Sequence, residues 1–399
     1  MDAILPLQSL RVLDFTRVLV GPFATMILGD LGADVIKVEP LDGDETRSWP
    51  PTFPQGESGY FMSLNRNKKS IAINLKTKQG QRIVQALARQ SDVVVENFTP
   101  GVASRMGIGY ETLRRRNAGL IYCSISGFGQ YGPHRAKKAY DPIIQGMAGL
   151  MSITGEKDGP PVKVGVPITD LVAGLYAVIA IQAAHCHRTE TGKGQFIDLA
   201  LFDATLSILT IMAMEYFATG TAPGRWGLDH IHRVPARAFL GRDGKWVQIM
   251  ATNDTMYLKF CEILGLESLA HDPRYDTNRK RLRHRDALMP LFEAKMRERD
   301  SEEWFRLFEE AALPCGPIRD LAEVFADAHV QAREMVFQME HPTEGRIMQL
   351  GFPYKFSRTP TQARLAPPLR GEHTDEVLKE WLQYEEAKIE KLKRLHVLG

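Results

Sequence analysis

Between residues 10 and 125 the chain alternates short, almost wholly apolar runs with longer amphipathic ones, and no other feature limits the fold as strongly. Residues 10–15, 33–38, 70–75, 92–97 and 120–125 have the length and make-up of strands, while residues 22–31, 77–90 and 110–117 have helical periodicity. Strands joined through helices run parallel, because each crossover returns the chain to the same edge. Runs such as Val93-Val94-Val95 and Leu120-Ile121-Tyr122 lack the alternation of a half-wet strand, so helices are expected on both faces of the sheet. The expected fold class is α/β with a parallel sheet, whose ligands bind beyond the carboxyl ends of the strands.

At those ends the sequence turns polar and irregular: Thr16-Arg17-Val18-Leu19-Val20-Gly21-Pro22 after the first strand, Asn97-Phe98-Thr99-Pro100-Gly101 after the fourth, and residues 126–133 after the fifth. Three loops thus converge on one rim. None carries a GxGxxG or Walker pattern, so a nicotinamide dinucleotide or nucleotide-hydrolysing site is not supported. Taken singly, each glycine there reads as a tight turn.

Beyond the rim loops, a helix is expected over residues 141–151 and a Gly/Pro-rich connection over 155–167, leading to Asp170 and a long apolar helix. Pro167 disfavours helix at Val166, and Thr169 or Asp170 is placed to cap that helix. A carboxylate at a helix N-terminus is held ionised by backbone N–H groups and the dipole, and can act as a nucleophile. On local grounds alone, capping is the commoner role for such an aspartate. Residues 195–201 read as a strand and 204–217 as a core helix. Residues 219–235, with Arg225, Trp226, His230 and His232 close together, mark a domain boundary and a candidate substrate loop, although histidines in such a loop are ordinarily surface residues.

The composition then becomes more polar, with a strand at 246–251, charged helices at 256–264, 286–299 and 302–311, and a helix at 320–328. A strand pair at 335–350, an extended stretch at 357–371 and an amphipathic helix at 375–392 complete the pattern. The domains expected are 1–220, a smaller α+β domain at 221–330, and a segment 331–399 that returns to the first. A net charge of +2, from 50 basic and 48 acidic residues, gives no reason to expect nucleic acid. The basic runs at 114–116 and 279–285 read as solvated helix faces. Four scattered cysteines without a CxxC pair favour a reducing cytoplasm and no structural metal, and His185-Cys186-His187 reads as buried packing. The first residues show no signal peptide, and the apolar run at 171–184 reads as too short and interrupted to span a membrane.

Five stretches together go beyond pattern reading: residues 12–22, Leu31-Gly-Ala-Asp-Val-Ile-Lys-Val-Glu39, Asn65-Arg-Asn-Lys-Lys-Ser70, Val95-Glu-Asn-Phe-Thr-Pro-Gly101 and Tyr140-Asp141, followed by Asp170. With these the chain resembles the class III CoA-transferases over nearly its whole length. The resemblance implies a large Rossmann-like domain built from both ends of the chain, a small domain between them, and two interlocked subunits. It also implies that Asp170 is the catalytic aspartate, with acyl-CoA as substrate and no permanently bound cofactor. The CoA contacts it implies are Leu19, Val20, Ile73, Asn74, Leu75, Lys76, Asn97, Phe98, Thr99, Arg105, Lys138, Ala139, Tyr140 and Asp141.

Two positions depart from the family: Pro40 stands where a basic residue meets adenine, near Lys37, and Ala251-Thr-Asn-Asp254 replaces a glycine-rich loop. The segments 43–47 and 225–227 are most similar to members moving CoA from succinyl-CoA to a dicarboxylic acid such as glutarate; malate, mesaconate and itaconate are alternatives. A second carboxylate calls for a cationic partner, and Arg17, Arg47, Arg225, His230 and His232 are the candidates. The competing branch, alpha-methylacyl-CoA racemase, needs a histidine where this chain has Tyr140, and a tyrosine is a poor base at neutral pH.

Overall fold

Six strands, β1 (Arg11–Asp14), β2 (Asp34–Glu39), β3 (Lys68–Ala72), β4 (Val93–Glu96), β5 (Ile121–Ser126) and β6 (Phe196–Ala200), lie in one parallel sheet in the order β3-β2-β1-β4-β5-β6. The computed structural model describes residues 4–399. The strand order reverses between β1 and β4, so the loops after these two strands diverge and leave a crevice between them. On one face the Lys78–Arg89 helix buries Ile83, Val84 and Leu87 beside Val377, Leu378 and Trp381 of the Thr374–Leu382 helix. On the other, the Val20–Asp30 helix and the Ile168–Thr191 helix bury Ala24, Leu28, Ala173, Ala177, Ile181 and Ala184. The chain's end returns to the sheet, where Gly399 N–H donates to the Ala72 carbonyl at 3.1 Å.

Two compact units divide the chain: the first runs up to Leu150 and includes Lys163–Thr219 and Gln331–Gly399, and the second comprises Met151–Val162 and Gly220–Val330. Residues 151–162 thus join the second unit, not the first segment to which the sequence reading assigned them. They are fastened there by Arg225 Nη2 donating to the Gly159 carbonyl at 2.6 Å and Gly227 N–H donating to that of Gly155 at 2.9 Å. In the second unit β7 (Ala236–Leu240), β8 (Trp246–Met250) and β9 (Cys315–Pro317) form an antiparallel sheet over a core of Phe260, Phe292, Trp304 and Phe308. In the first unit β10 (Val336–His341) and β11 (Gly345–Leu350) form an antiparallel pair.

Several expectations are corrected. The basic run at 279–285 is not uniformly solvated: Arg281 is fully buried, its guanidinium donating to the carbonyls of Val234 and Tyr275 and to Asp254. Arg285 is buried too, donating to the carbonyls of His230 and Ile231 beneath Trp226. The expected core helix at 204–217 breaks into Leu201–Ser207 and Thr210–Thr219, bent by 71°, and the second piece leaves Ile211, Met214 and Phe217 exposed. Cys186 and His187 are exposed, not buried packing. The long helix spans 24 residues, enough in length and composition to cross a membrane, but one stripe of it lies in the core described above.

Candidate active site

Asp170 sits in the first turn of the long helix, whose N-cap is Pro167. The expected cap is therefore wrong in detail, since neither Thr169 nor Asp170 caps the helix. A carboxylate from another helix does that work. Asp141, at the start of the Asp141–Met147 helix, accepts from Thr169 N–H at 2.9 Å and from the Thr169 hydroxyl at 2.8 Å, satisfying one of the donors a helix start leaves unpaired. Its other oxygen accepts from Gln145 Nε2 at 2.7 Å, and Gln145 Oε1 accepts from Val164 N–H at 2.9 Å. These bonds fix where the first turn begins and hence where Asp170 stands.

The Asp170 carboxyl has no hydrogen-bond donor among the described residues. Burial, with the charge of Asp141 adding to it, pushes the group up to about 7. The helix N-terminus therefore does not hold it at an ordinary carboxylate value, and burial is the larger cause of the rise. Near neutral pH the group divides between acid and carboxylate, and the carboxylate is a stronger nucleophile than an ordinary aspartate.

The loop after β1 approaches from the neighbouring helix. At Gly174 an added Cβ would lie 3.0 Å from the Val20 carbonyl oxygen, so glycine lets the two helices come this close. The loop is wired from below. Thr16 donates from its N–H and hydroxyl to Asp14, Lys37 Nζ donates to the Thr16 carbonyl at 2.8 Å and to Asp44 at 2.9 Å, and Asn97 makes two bonds to the Arg17 backbone. Val18 follows at φ 65°, a left-handed conformation costly for a β-branched residue, imposed by a loop fixed on its other side. Glu96, whose carboxyl burial pushes up to about 7, accepts from Phe98 N–H at 2.8 Å and shapes the loop after β4.

Asp170 lines a cavity of about 260 Å³ together with Arg17, Leu19, Val20, Asn97, Phe98, Thr99, Lys138, Ala139 and Tyr140. A larger cavity, about 1140 Å³, is lined by Ile73, Asn74, Leu75, Lys76, Arg105 and Arg47. Arg17, Glu45 and Phe98 line both. Asp141 lines neither; it is buried, and its oxygens are spent on Thr169 and Gln145, so it positions the site instead of contacting CoA. Arg225, His230 and His232 belong to the second unit and line neither cavity; Arg225 is held by the carbonyls of Glu156 and Gly159.

Residues 7–374 match the sequence profile of CoA-transferase family III. The chain belongs to this family. Among relatives of the transferase, succinyl-CoA:glutarate CoA-transferase of Mus musculus is 47% identical over 392 residues, covering 98% of this chain and 90% of the relative. The Homo sapiens protein of the same name is 43% identical over 393 residues, with 98% and 90% covered. Among solved structures, a CaiB/BaiF family protein from Brucella suis superposes with a TM-score of 0.86 at 39% identity, covering 94% of the transferase and 99% of that chain. Sequence reasoning missed Tyr60 in this enzyme. Its hydroxyl is pushed up to about 12 by burial and then by the charges of Asp170, Asp44 and Asp141, and so stays neutral, although Tyr60 lines neither cavity. It lies in a four-residue helix, Gly59–Met62, too short to leave a periodic signal.

Proposed function

We propose that the chain moves CoA from succinyl-CoA to a dicarboxylic acid such as glutarate, with Asp170 as the acyl carrier. The carboxylate attacks the thioester carbonyl and expels CoA thiolate, giving a mixed anhydride. The thiolate attacks the Asp170 carbonyl carbon, and succinate leaves with the bridging oxygen. The acceptor carboxylate then attacks the Asp170 thioester, and the released thiolate attacks the acceptor acyl carbon, returning Asp170 as carboxylate. Each step exchanges one activated acyl group for another, so the demand on the protein is a nucleophile shielded from water.

The observation that carries this reading is a carboxyl group raised by burial, without a hydrogen-bond donor among the described residues, in a cavity formed by the rim loops of the sheet. The names of the 47% and 43% identical relatives supply the acids. The larger cavity, reached by Lys76 and Arg105, suits the CoA phosphates, and Lys138 offers a further cation beside Asp170. The proposal includes an interlocked homodimer, supported by exposed apolar residues Leu175, Ile179, Ile211, Met214 and Phe217 on helices of the first unit. Four free thiols are consistent with a reducing, cytoplasmic setting. A single turnover of limiting succinyl-CoA with oxygen-18-labelled glutarate should leave one label in Asp170, read by peptide mass spectrometry. Transfer without label in this residue rejects the aspartyl route.

A further inference from the structure

We infer that Arg17 receives the distal carboxylate of the dicarboxylic substrate and that Glu45 occupies its place when substrate is absent. This rests on the function proposed above, in which both acids carry a carboxylate that takes no part in the chemistry. Three cationic side chains line the cavity that holds Asp170: Arg17, Lys137 and Lys138. The two lysines follow one another on an exposed stretch of loop. Arg17 is built differently.

Its backbone is fixed at the crevice between β1 and β4, the N–H donating to Asn97 Oδ1 at 3.0 Å and the carbonyl accepting from Asn97 Nδ2 at 2.7 Å. Its side chain is nonetheless 57% exposed, with the guanidinium 5.8 Å over the Phe98 ring. The ion-pair partner it shows is Glu45, 3.7 Å away and so beyond hydrogen-bond distance. A guanidinium with its planar fork unspent, on a fixed base, is suited to a carboxylate arriving from solution. Arg47 is the contrary case: Nε and Nη2 donate to Glu39 at 2.8 and 2.7 Å, Nη2 also donates to the Pro368 carbonyl, and the group stacks on Phe61 at 3.7 Å. Its fork is spent inside the protein.

Glu45 is itself 46% exposed and stands one residue after the buried Asp44, which Lys37 and Thr46 hold. Its carboxylate is thus near Arg17 without being locked to it, and a substrate carboxylate can take its place. An acid lacking the second carboxylate leaves the Arg17–Glu45 pair intact and gains nothing from it. The pair therefore favours dicarboxylic over monocarboxylic acids.

The test compares glutarate with butyrate, which is glutarate with one carboxylate replaced by hydrogen, as acceptors from succinyl-CoA. Arg17→Gln should lower the glutarate-to-butyrate ratio of kcat/KM by about 10- to 100-fold, mainly through the KM for glutarate. Arg17→Lys should recover part of the loss. Glu45→Gln should lower the KM for glutarate by about two- to fivefold and leave that for butyrate in place, as expected when a weak competitor is removed. A ratio unchanged in Arg17→Gln, with KM raised for succinyl-CoA and propionyl-CoA alike, would overturn the assignment and give Arg17 to the CoA moiety. A Glu45→Gln variant that binds glutarate less tightly overturns the role of Glu45. A wild-type protein that transfers CoA to neither acid overturns the underlying function, and this inference with it.

Discussion

Asp14 and Asp170 are the same side chain buried to opposite effect. Asp14, at the end of β1, is fully buried; burial pushes its carboxyl up, but Lys68 at 3.2 Å, Lys37 and the hydroxyls of Thr16 and Thr25 more than reverse this and hold it below the usual range. Asp170 is less buried and goes the other way, to about 7, because burial raises it, the charge of Asp141 adds to the rise, and no donor among the described residues offsets them. Burial alone does not set the state of a carboxyl group; the supply of donors and cations does. A carboxylate whose lone pairs are all engaged is a structural member that holds Thr16 and the rim loop in place. One left short of partners has lone pairs free, as the acyl transfer proposed for Asp170 requires.

The largest test of this contrast is Asp170→Asn. It should lower CoA transfer by about a thousandfold or more, since no group remains to form the anhydride. The same change should strengthen the fold. Raised from 3.8 to about 7, the carboxyl binds its proton more tightly in the native state than in the unfolded chain. Ionisation therefore costs stability progressively as pH rises from about 4 to about 7, and the cost stays constant above that. At about 1.36 kcal/mol per unit the ceiling is about 4 kcal/mol, and water at the cavity mouth reduces it to about 1–2 kcal/mol. Urea denaturation should show the variant gaining on wild type as pH rises, and a variant less stable than wild type at about pH 8 contradicts the unsupplied state of Asp170.

Next comes the other side of the comparison. Lys68→Met removes the cation beside Asp14, leaving a buried carboxylate short of charge, and should cost about 3–5 kcal/mol of stability in the same assay. Lys68 Nζ also donates to the Pro22 carbonyl at 2.9 Å and to Asn65 Oδ1 at 2.8 Å, which are lost as well. Adding Asp14→Asn should return part of the loss, because the stranded charge is then gone. A double variant no more stable than Lys68→Met would mean that the charge pairing is not what matters there.

How much of this was legible in the sequence depended on whether the cause was local. The early strands could be read from their apolar centres, such as Val93-Val94-Val95, which helices cover on both faces. Their charged members, Lys37, Glu39 and Lys68, are buried in ion pairs that the apolar pattern does not show, and β3 accordingly begins at Lys68, two residues before the run at 70–75. The rim loops followed from the ends of those strands. The cap of the long helix could not be read, because Asp141 supplies it from 28 positions away, and a local pattern offers only Thr169 or Asp170. The same distance hid the state of Asp170, since the sequence shows a helix start and not how much water is excluded from it. Arg281 and Arg285 looked solvated as members of a basic run, but apart from Asp254 their partners are carbonyls of Val234, Tyr275, His230 and Ile231, groups every residue carries and no composition reveals.

Asp141→Asn gives the smallest effect and separates Asp170 most finely from the buried aspartate that positions it. Asparagine can still accept from Thr169 through Oδ1, but its Nδ2 would face Gln145 Nε2, donor against donor. If Gln145 turns its amide to accept, it gives up the bond from Val164 N–H, so one hydrogen bond is lost either way, a cost of about 1–2 kcal/mol. The charge that helps hold Asp170 at about 7 is also removed. Asp170 should then ionise at lower pH, although burial, the larger cause, keeps it above an ordinary aspartate. Because the nucleophile is the ionised form, the acidic limb of the kcat/KM profile in the free enzyme should move to lower pH, while the plateau above it falls only as far as the first turn is displaced. A limb that stays in place while the plateau drops would mean that Asp141 acts on Asp170 through the helix start alone. A limb displaced toward higher pH would reverse the sign of the interaction and remove the basis for treating Asp170 as a carboxyl group short of partners.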